Sequence, residues 1–153
     1  GDNRMAKTID KTFSDAEGKL YNYNSTKIEL KSLKIDLEYL EIDYKGCKAI
    51  SYADERTGET YNISNTVESE VLAKERQIKD LESKINKKER QIRKIENALE
   101  LLKEEEKRLV NFRYFSNRKK APSWLDVGEE IGYSDKKCRI MRNDIINRIK
   151  SLI

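Results

Sequence analysis

Histidine is absent from this chain. Without imidazole there is no Ser-His-Asp or Cys-His nucleophilic site, no histidine zinc site and none of the commonest general base. The chain therefore reads as a non-enzyme with no metal, no cofactor and no small-molecule substrate. Proline occurs once and glycine six times in 153 residues, so obligatory turns are few and long helices are expected. Only two cysteines are present, Cys47 and Cys138. They lie too far apart in sequence for a clustered metal pair and read as reduced thiols of a cytosolic protein. Long apolar runs are missing too: nothing approaches the roughly 18 residues of a membrane span or the apolar core of a secretory signal. The expected location is the cytoplasm, with no membrane partner.

Charge is plentiful. Charged residues make up 39% of the chain and hydrophobic ones 37%, against about 25% charged in an average globular domain. One thick core is excluded on that ground, and an elongated, all-α protein is expected. The charge is also uneven. Ten basic and five acidic residues fall between Asn111 and Ile153, a local excess of +5 in a chain whose net charge is +4. A basic C-terminal segment on a nearly neutral remainder points to a polyanionic partner at one end.

Hydrophobic spacing divides the chain into four parts. Residues 1–45 carry Leu30, Leu33, Leu37, Leu40 and Tyr44 three and four apart, which predicts one long helix. A second stripe on that helix, Ile28, Ile35, Tyr39 and Ile42, implies a second contact, and Ile28, Ile35 and Ile42 are candidate oligomerisation residues. Gly46 is expected to end the helix. Residues 46–64 then form a loop or a short β-hairpin, with Ile50 and Tyr52 facing Tyr61 and Ile63 across a turn at Arg56–Glu59. Residues 65–110 show coiled-coil spacing: Val71, Ile78, Ile85, Ile92 and Leu99 at one heptad position, Leu81, Ile95, Leu102 and Leu109 at the other. Of these, Ile78, Leu81, Ile85, Ile92, Ile95 and Leu99 complete the candidate oligomerisation set. The two helices, about 50 Å and about 75 Å long at 1.5 Å per residue, should fold back as a long antiparallel coiled-coil hairpin, a stalk joining homodimers or higher homo-oligomers.

The fourth part, residues 104–153, has the layout of a small helix-turn-helix domain. Ser123 is an N-cap candidate with Asp126 three residues on, and Trp124, Val127 and Ile131 share a face. Gly132-Tyr133-Ser134 makes a turn, and Ser134 caps a last helix in which Cys138, Met141, Ile145, Ile149 and Leu152 form the apolar stripe. Asp135, Lys136, Lys137, Arg139, Ile140, Arg142 and Asn143 are then available to double-stranded DNA. Arg118, Lys119, Lys120 and Ser123 flank them, and Ser134 lies at the helix start. Lys and Arg neutralise phosphates or donate to guanine, and Asn pairs with adenine, when the helix start enters the major groove.

The stretches Leu109–Phe115, Trp124–Ser134 and Ser134–Arg142 resemble the region-four helix-turn-helix of bacterial sigma factors. That resemblance places Asp135, Lys136 and Arg139 where such proteins touch bases or phosphates, and Cys138 and Met141 at core positions. The sequence departs from the pattern at Ile140, where a polar base reader is usual, and at Lys136, where an acid is usual, so the standard promoter element is not implied. The whole layout, two long helices, the Tyr44–Tyr52 segment and a region-four-like end, is similar to small phage-encoded transcriptional regulators of the RinA and ArpU type. The resemblance implies control of late phage or prophage genes in a bacterial host, through a promoter and bacterial RNA polymerase, most readily as an activator. Two other readings fit the same layout: a DNA-packaging subunit like the small terminases, and an adaptor that binds polymerase or a sigma factor.

Overall fold

A computed structural model describes the backbone of residues 2–57 and 61–153 and the side chains of residues 11–50 and 66–153. Every element among the described residues is an α-helix. In chain order they are α1 (Asp2–Tyr21), α2 (Tyr23–Thr57), α3 (Tyr61–Leu99), α4 (Glu104–Tyr114), α5 (Trp124–Ile131) and α6 (Asp135–Ile149). They form two compact units: Gly1–Lys27 with Arg90–Ile153, and Ile28–Glu89.

Three expectations from sequence are corrected by these elements. The segment 46–64 is not a loop or hairpin where it is described, because α2 runs through Gly46 to Thr57 and α3 begins at Tyr61. The turn expected at Arg56–Glu59 falls partly outside the described residues. Glycine inside a helix costs only about 1 kcal/mol relative to alanine. Tyr44 and Cys47 on either side of Gly46 are both half-buried, and the Tyr44 hydroxyl donates to Glu75 of α3 at 2.6 Å. Contacts of that kind outweigh the glycine, whereas a lone hairpin without a third strand is marginal. The first long helix is in turn two helices, interrupted at Asn22. The second is interrupted as well. Glu100, Leu101 and Leu102 donate to the carbonyls of Asn97, Ala98 and Leu99, the tighter i to i+3 pattern that closes a helix. Lys103 is then extended (φ −71°, ψ 162°), and its N–H donates to Glu106 at 3.0 Å, capping α4.

In the unit 28–89, α2 and α3 lie alongside one another in opposite directions. Leu30, Leu33, Leu37, Leu40 and Tyr44 are half-buried, and so are Val71, Ile78 and Leu81, while Ile85 is buried. Two surface ion pairs join them, Glu29 with Lys88 at 2.6 Å and Lys34 with Glu89 at 2.9 Å, and the antiparallel order shows in Glu29–Lys88 taken with Tyr44–Glu75 farther along α2. Exposed pairs of this kind contribute at most about 1 kcal/mol each. Apolar packing between the two helices stabilises the unit more than these pairs do.

The other unit holds most of the core. Ala16 and Leu20 of α1, Tyr23 at the start of α2, and Ile92, Ile95 and Ala98 of α3 are buried in it, as are Leu102, Leu109, Val110, Tyr114, Val127, Cys138, Ile145, Ile146 and Ile149. The Tyr23 ring packs on Phe115 at 4.4 Å between centroids, and its hydroxyl donates to Glu96 at 2.6 Å. Partial burial and that carboxylate push the Tyr23 phenol up to about 12. Ile85, Ile92 and Ile95 are thus covered within one chain, which corrects their assignment as oligomerisation residues: a side chain already out of water gains little from a second copy. Ile78, Leu81 and Leu99 are half-buried, whereas Ile28, Ile35 and Ile42 are exposed.

Candidate nucleic-acid interface

The last three helices carry their own start and stop signals. Ser123 (φ −65°, ψ 161°) accepts from the Asp126 N–H through its hydroxyl at 3.2 Å, and the Asp126 carboxylate accepts from the Ser123 N–H at 3.3 Å, a reciprocal cap that starts α5. Gly132 ends α5 in the left-handed region at φ 89°, where a side chain would be strained. Its N–H and that of Tyr133 both donate to the Gly128 carbonyl, at 2.8 and 3.1 Å. Gly128 is required for a different reason: a Cβ there would lie 2.4 Å from the Tyr133 carbonyl oxygen. The chain thus turns tightly against α5 before Ser134 (φ −66°, ψ 157°) caps α6 by accepting from the Lys137 N–H at 3.1 Å.

With α5 and α6 so connected, Cys138, Ile145, Ile146 and Ile149 fill the core against Val127, Leu109 and Val110. Burial pushes the Cys138 thiol pKa up and keeps it protonated. At about 100° per residue, the face of α6 opposite Cys138 and Ile145 carries Lys136, Arg139, Ile140 and Asn143. All four are exposed, and Ile140 keeps 59% of its surface in water. Lys137 sits at the edge of that face with its ammonium 3.8 Å from the Tyr133 ring centroid. Arg139 is braced by Asp135 one turn earlier, at 3.8 Å. The Tyr133 hydroxyl donates to Glu105 at 2.9 Å, tying the turn to α4 and raising the phenol's pKa.

Arg142 does not belong to this face, which corrects its assignment as a DNA-binding residue. It lies one turn from Cys138 and three residues before Ile145, on the inner side of α6. There its guanidinium pairs with Glu17 of α1 at 2.7 Å and stacks on Trp124 at 4.9 Å and on Phe13 at 5.6 Å. Burial works against its charge, but Glu17 outweighs it and leaves the guanidinium pKa above its usual value. Glu17 also accepts from the Tyr114 hydroxyl at 2.6 Å; burial first, and that carboxylate second, push the phenol's pKa well up. Arg113 stacks on Trp124 at 4.6 Å, donates to the Tyr21 hydroxyl at 2.9 Å and donates to the Pro122 carbonyl. Its Nε is buried without a partner. Trp124 therefore contacts two guanidiniums that anchor α1 to the α4–α6 group. Sequence spacing does not reveal that role, because Glu17 and Arg142 lie 125 positions apart.

The remaining expected residues are accounted for. Ser123 and Ser134 use their hydroxyls as caps. Asn143 accepts from the Arg142 Nε at 2.7 Å and is otherwise exposed. Lys119 and Lys120 are exposed, and Arg118 is exposed with its guanidinium 5.0 Å from the Phe112 ring centroid. Two further braces reach α4: Arg108 donates to the Glu130 carbonyl at 2.8 Å, and Arg148 pairs with the buried Glu106 and with Asp144. Among the described residues no group of acidic or cysteine side chains could hold a metal ion, and no helix is long and apolar enough to cross a membrane.

Fold and site together define an all-helical protein with a braced α4–α6 group and one exposed, mainly basic face on α6. The chain belongs to the DUF722 family, described as a protein of unknown function, whose model matches residues 5–151. No curated protein and no solved structure matches the chain.

Proposed function

We propose that the chain is a sequence-specific DNA-binding regulator of transcription, an activator of phage or prophage late genes that works at a promoter with bacterial RNA polymerase. In this reading α5 and α6 are a helix-turn-helix, α6 is the recognition helix, and α2 with α3 is an antiparallel coiled-coil hairpin through which the chain self-associates. The observation that carries it is the division of α6: its inner side is core and the Arg142 anchor, while Lys136, Arg139, Ile140 and Asn143 stand together in water near the helix start. Those residue types supply phosphate neutralisation, donors to guanine, contact with a thymine methyl and pairing with adenine. The local excess of positive charge and the resemblance to sigma region four support the same reading.

The test is selection of genome fragments by the purified protein at physiological salt, followed by footprinting of what is bound. A recurrent site upstream of a promoter, with two related half-sites about one or more helical turns apart, is the expected result. Uniform recovery of all fragments overturns the reading. On the selected site, Lys136→Ala and Arg139→Ala should each weaken binding and reduce the salt slope by about 0.9 for each phosphate no longer neutralised. Arg142→Ala should instead act through stability.

A further inference from the structure

Along α3 the two signs of charge are sorted to different sides of one helix. Five acids fall between Glu75 and Asn97, and four of them meet α2. Glu75 accepts from the Tyr44 hydroxyl, Glu89 pairs with Lys34, Glu96 accepts from the Tyr23 hydroxyl, and Asp80 lines the groove between α2 and α3. The same stretch holds eight cations. Lys84 lines that groove and Lys88 pairs with Glu29. The other six, Arg76, Lys79, Lys87, Arg90, Arg93 and Lys94, are all exposed, and none has an ion pair with a carboxylate among the described residues.

At 100° per residue these six fall within one sector of about 120°, on the side of α3 away from Ile78, Ile85 and Ile92. Ser83, Asn86 and Asn97 are interleaved with them and are exposed too. From Arg76 to Asn97 no acidic and no apolar residue lies in the sector; Glu82 stands just outside its edge. A face that is only solvated mixes both signs. Here like charges stand three and four residues apart, as in Lys87, Arg90 and Lys94, an arrangement that weakens a helix until a polyanion neutralises it.

The residue types select among polyanions. Protein interfaces are depleted in Lys and centred on aromatic or apolar anchors, and an anionic membrane surface holds a helix by an apolar face; the sector has neither. Single-stranded nucleic acid is bound through aromatic side chains on which its bases stack, and none is present. Arg, Lys, Ser and Asn are the side chains that contact duplex phosphates. At 1.5 Å per residue the line is about 32 Å long, and a duplex offers one phosphate charge for about every 1.7 Å of its axis.

We infer that the outer face of α3, from Arg76 to Asn97, is a second nucleic-acid surface that binds the phosphate backbone of duplex DNA whatever its sequence. It goes beyond the reading of α6 and does not rest on it.

Fluorescence anisotropy tests it, with the full-length chain titrated onto a labelled duplex of scrambled sequence, about 30 base pairs or three helical turns long, at several salt concentrations. The combined variant Lys87→Gln, Arg90→Gln and Lys94→Gln changes exposed positions to a residue of similar helix propensity, and circular dichroism checks its fold. It should bind more weakly, with a salt slope reduced by up to about 2.7, or about 0.9 for each cation removed. Lys87→Arg with Lys94→Arg should keep the slope. Lys136→Gln with Arg139→Gln should leave scrambled-duplex binding in place. An unchanged affinity and slope in the α3 variant overturns the inference, and so does loss of all scrambled-duplex binding in the α6 variant. Poly-glutamate bound as tightly as the duplex, and released by the same α3 substitutions, overturns the nucleic-acid partner in favour of an acidic protein.

Discussion

The two units of this protein use similar amino acids to different ends. Of the buried apolar residues among the described ones, only Ile85 belongs to the unit 28–89, and all the others belong to the unit formed by the two ends of the chain. The latter encloses its core from several directions, with α1, α4, α5 and α6 all contributing. It also draws charged side chains inward: Glu17, Arg142, Arg113 and Glu106 all have partners there. In the unit 28–89 two helices touch along one line, so the leucines of the seam remain half-exposed and the ion pairs stay on the surface. Two helices cannot surround a side chain. A layer of that kind keeps apolar surface available to another partner, whereas the terminal unit covers its own.

That contrast is broken most directly by truncating one residue in each unit. Ile146 is fully buried, and Ile146→Ala should cost about 2 to 5 kcal/mol, the range for a large aliphatic removed from a core that cannot collapse. Leu37 is half-buried, and Leu37→Ala should cost about 1 kcal/mol, in proportion to the smaller area it removes from water. Denaturant unfolding, with hydrogen exchange resolved along the chain, checks both. Equal losses would mean that the seam between α2 and α3 is as well packed as the terminal core.

Glycine sharpens the same comparison. Gly128→Ala drives a Cβ into the Tyr133 carbonyl, which belongs to backbone and cannot rotate away, so stability should fall by about 1 to 3 kcal/mol. Gly46→Ala meets nothing within 4 Å in the middle of a helix and should raise stability by about 1 kcal/mol. Opposite signs in thermal unfolding would separate a glycine required by a close approach from one that a helix merely tolerates. A loss at Gly46 would show that α2 depends on that position in a way its open surroundings do not suggest.

Legibility from sequence follows the same division. The ends of α5 and the start of α6 are readable because local chemistry sets them: Ser123 with Asp126, Gly132, and Ser134 each act within a few residues of themselves. The breaks at Asn22 and at Glu100–Lys103 are not readable, since no proline or glycine stands at either and the apolar spacing continues across both. Gly46 misleads in the opposite direction, because a weak local preference yields to contacts along the whole helix. Of the expected interface, Lys136, Arg139, Ile140 and Asn143 share a face as the spacing implies. Arg142 does not join them, and its spacing to Cys138 and Ile145 already puts it on the core side. A basic side chain invites assignment to DNA on charge alone, and the acidic partner that explains this one, Glu17, lies near the other end of the chain.

The smallest effect expected is on the response to alkali. Tyr23 and Tyr114 both belong to the terminal unit, and the phenols of both are raised above the ordinary 10.0 by burial and by a carboxylate that accepts their hydrogen bond. A folded-state pKa above the unfolded one means that the unfolded chain loses its proton first. Their contribution to stability is therefore fully present below pH 10 and is lost as pH rises, through about 12 for Tyr23. Unfolding followed from about pH 8 to about pH 12 should show a decline that begins near 10, where the unfolded phenols ionise. In Tyr23→Phe, which removes the titrating hydroxyl and keeps the ring on Phe115, part of that decline should disappear. A slope that stays the same in Tyr23→Phe would mean that burial of this phenol and its bond to Glu96 add nothing to stability below pH 10.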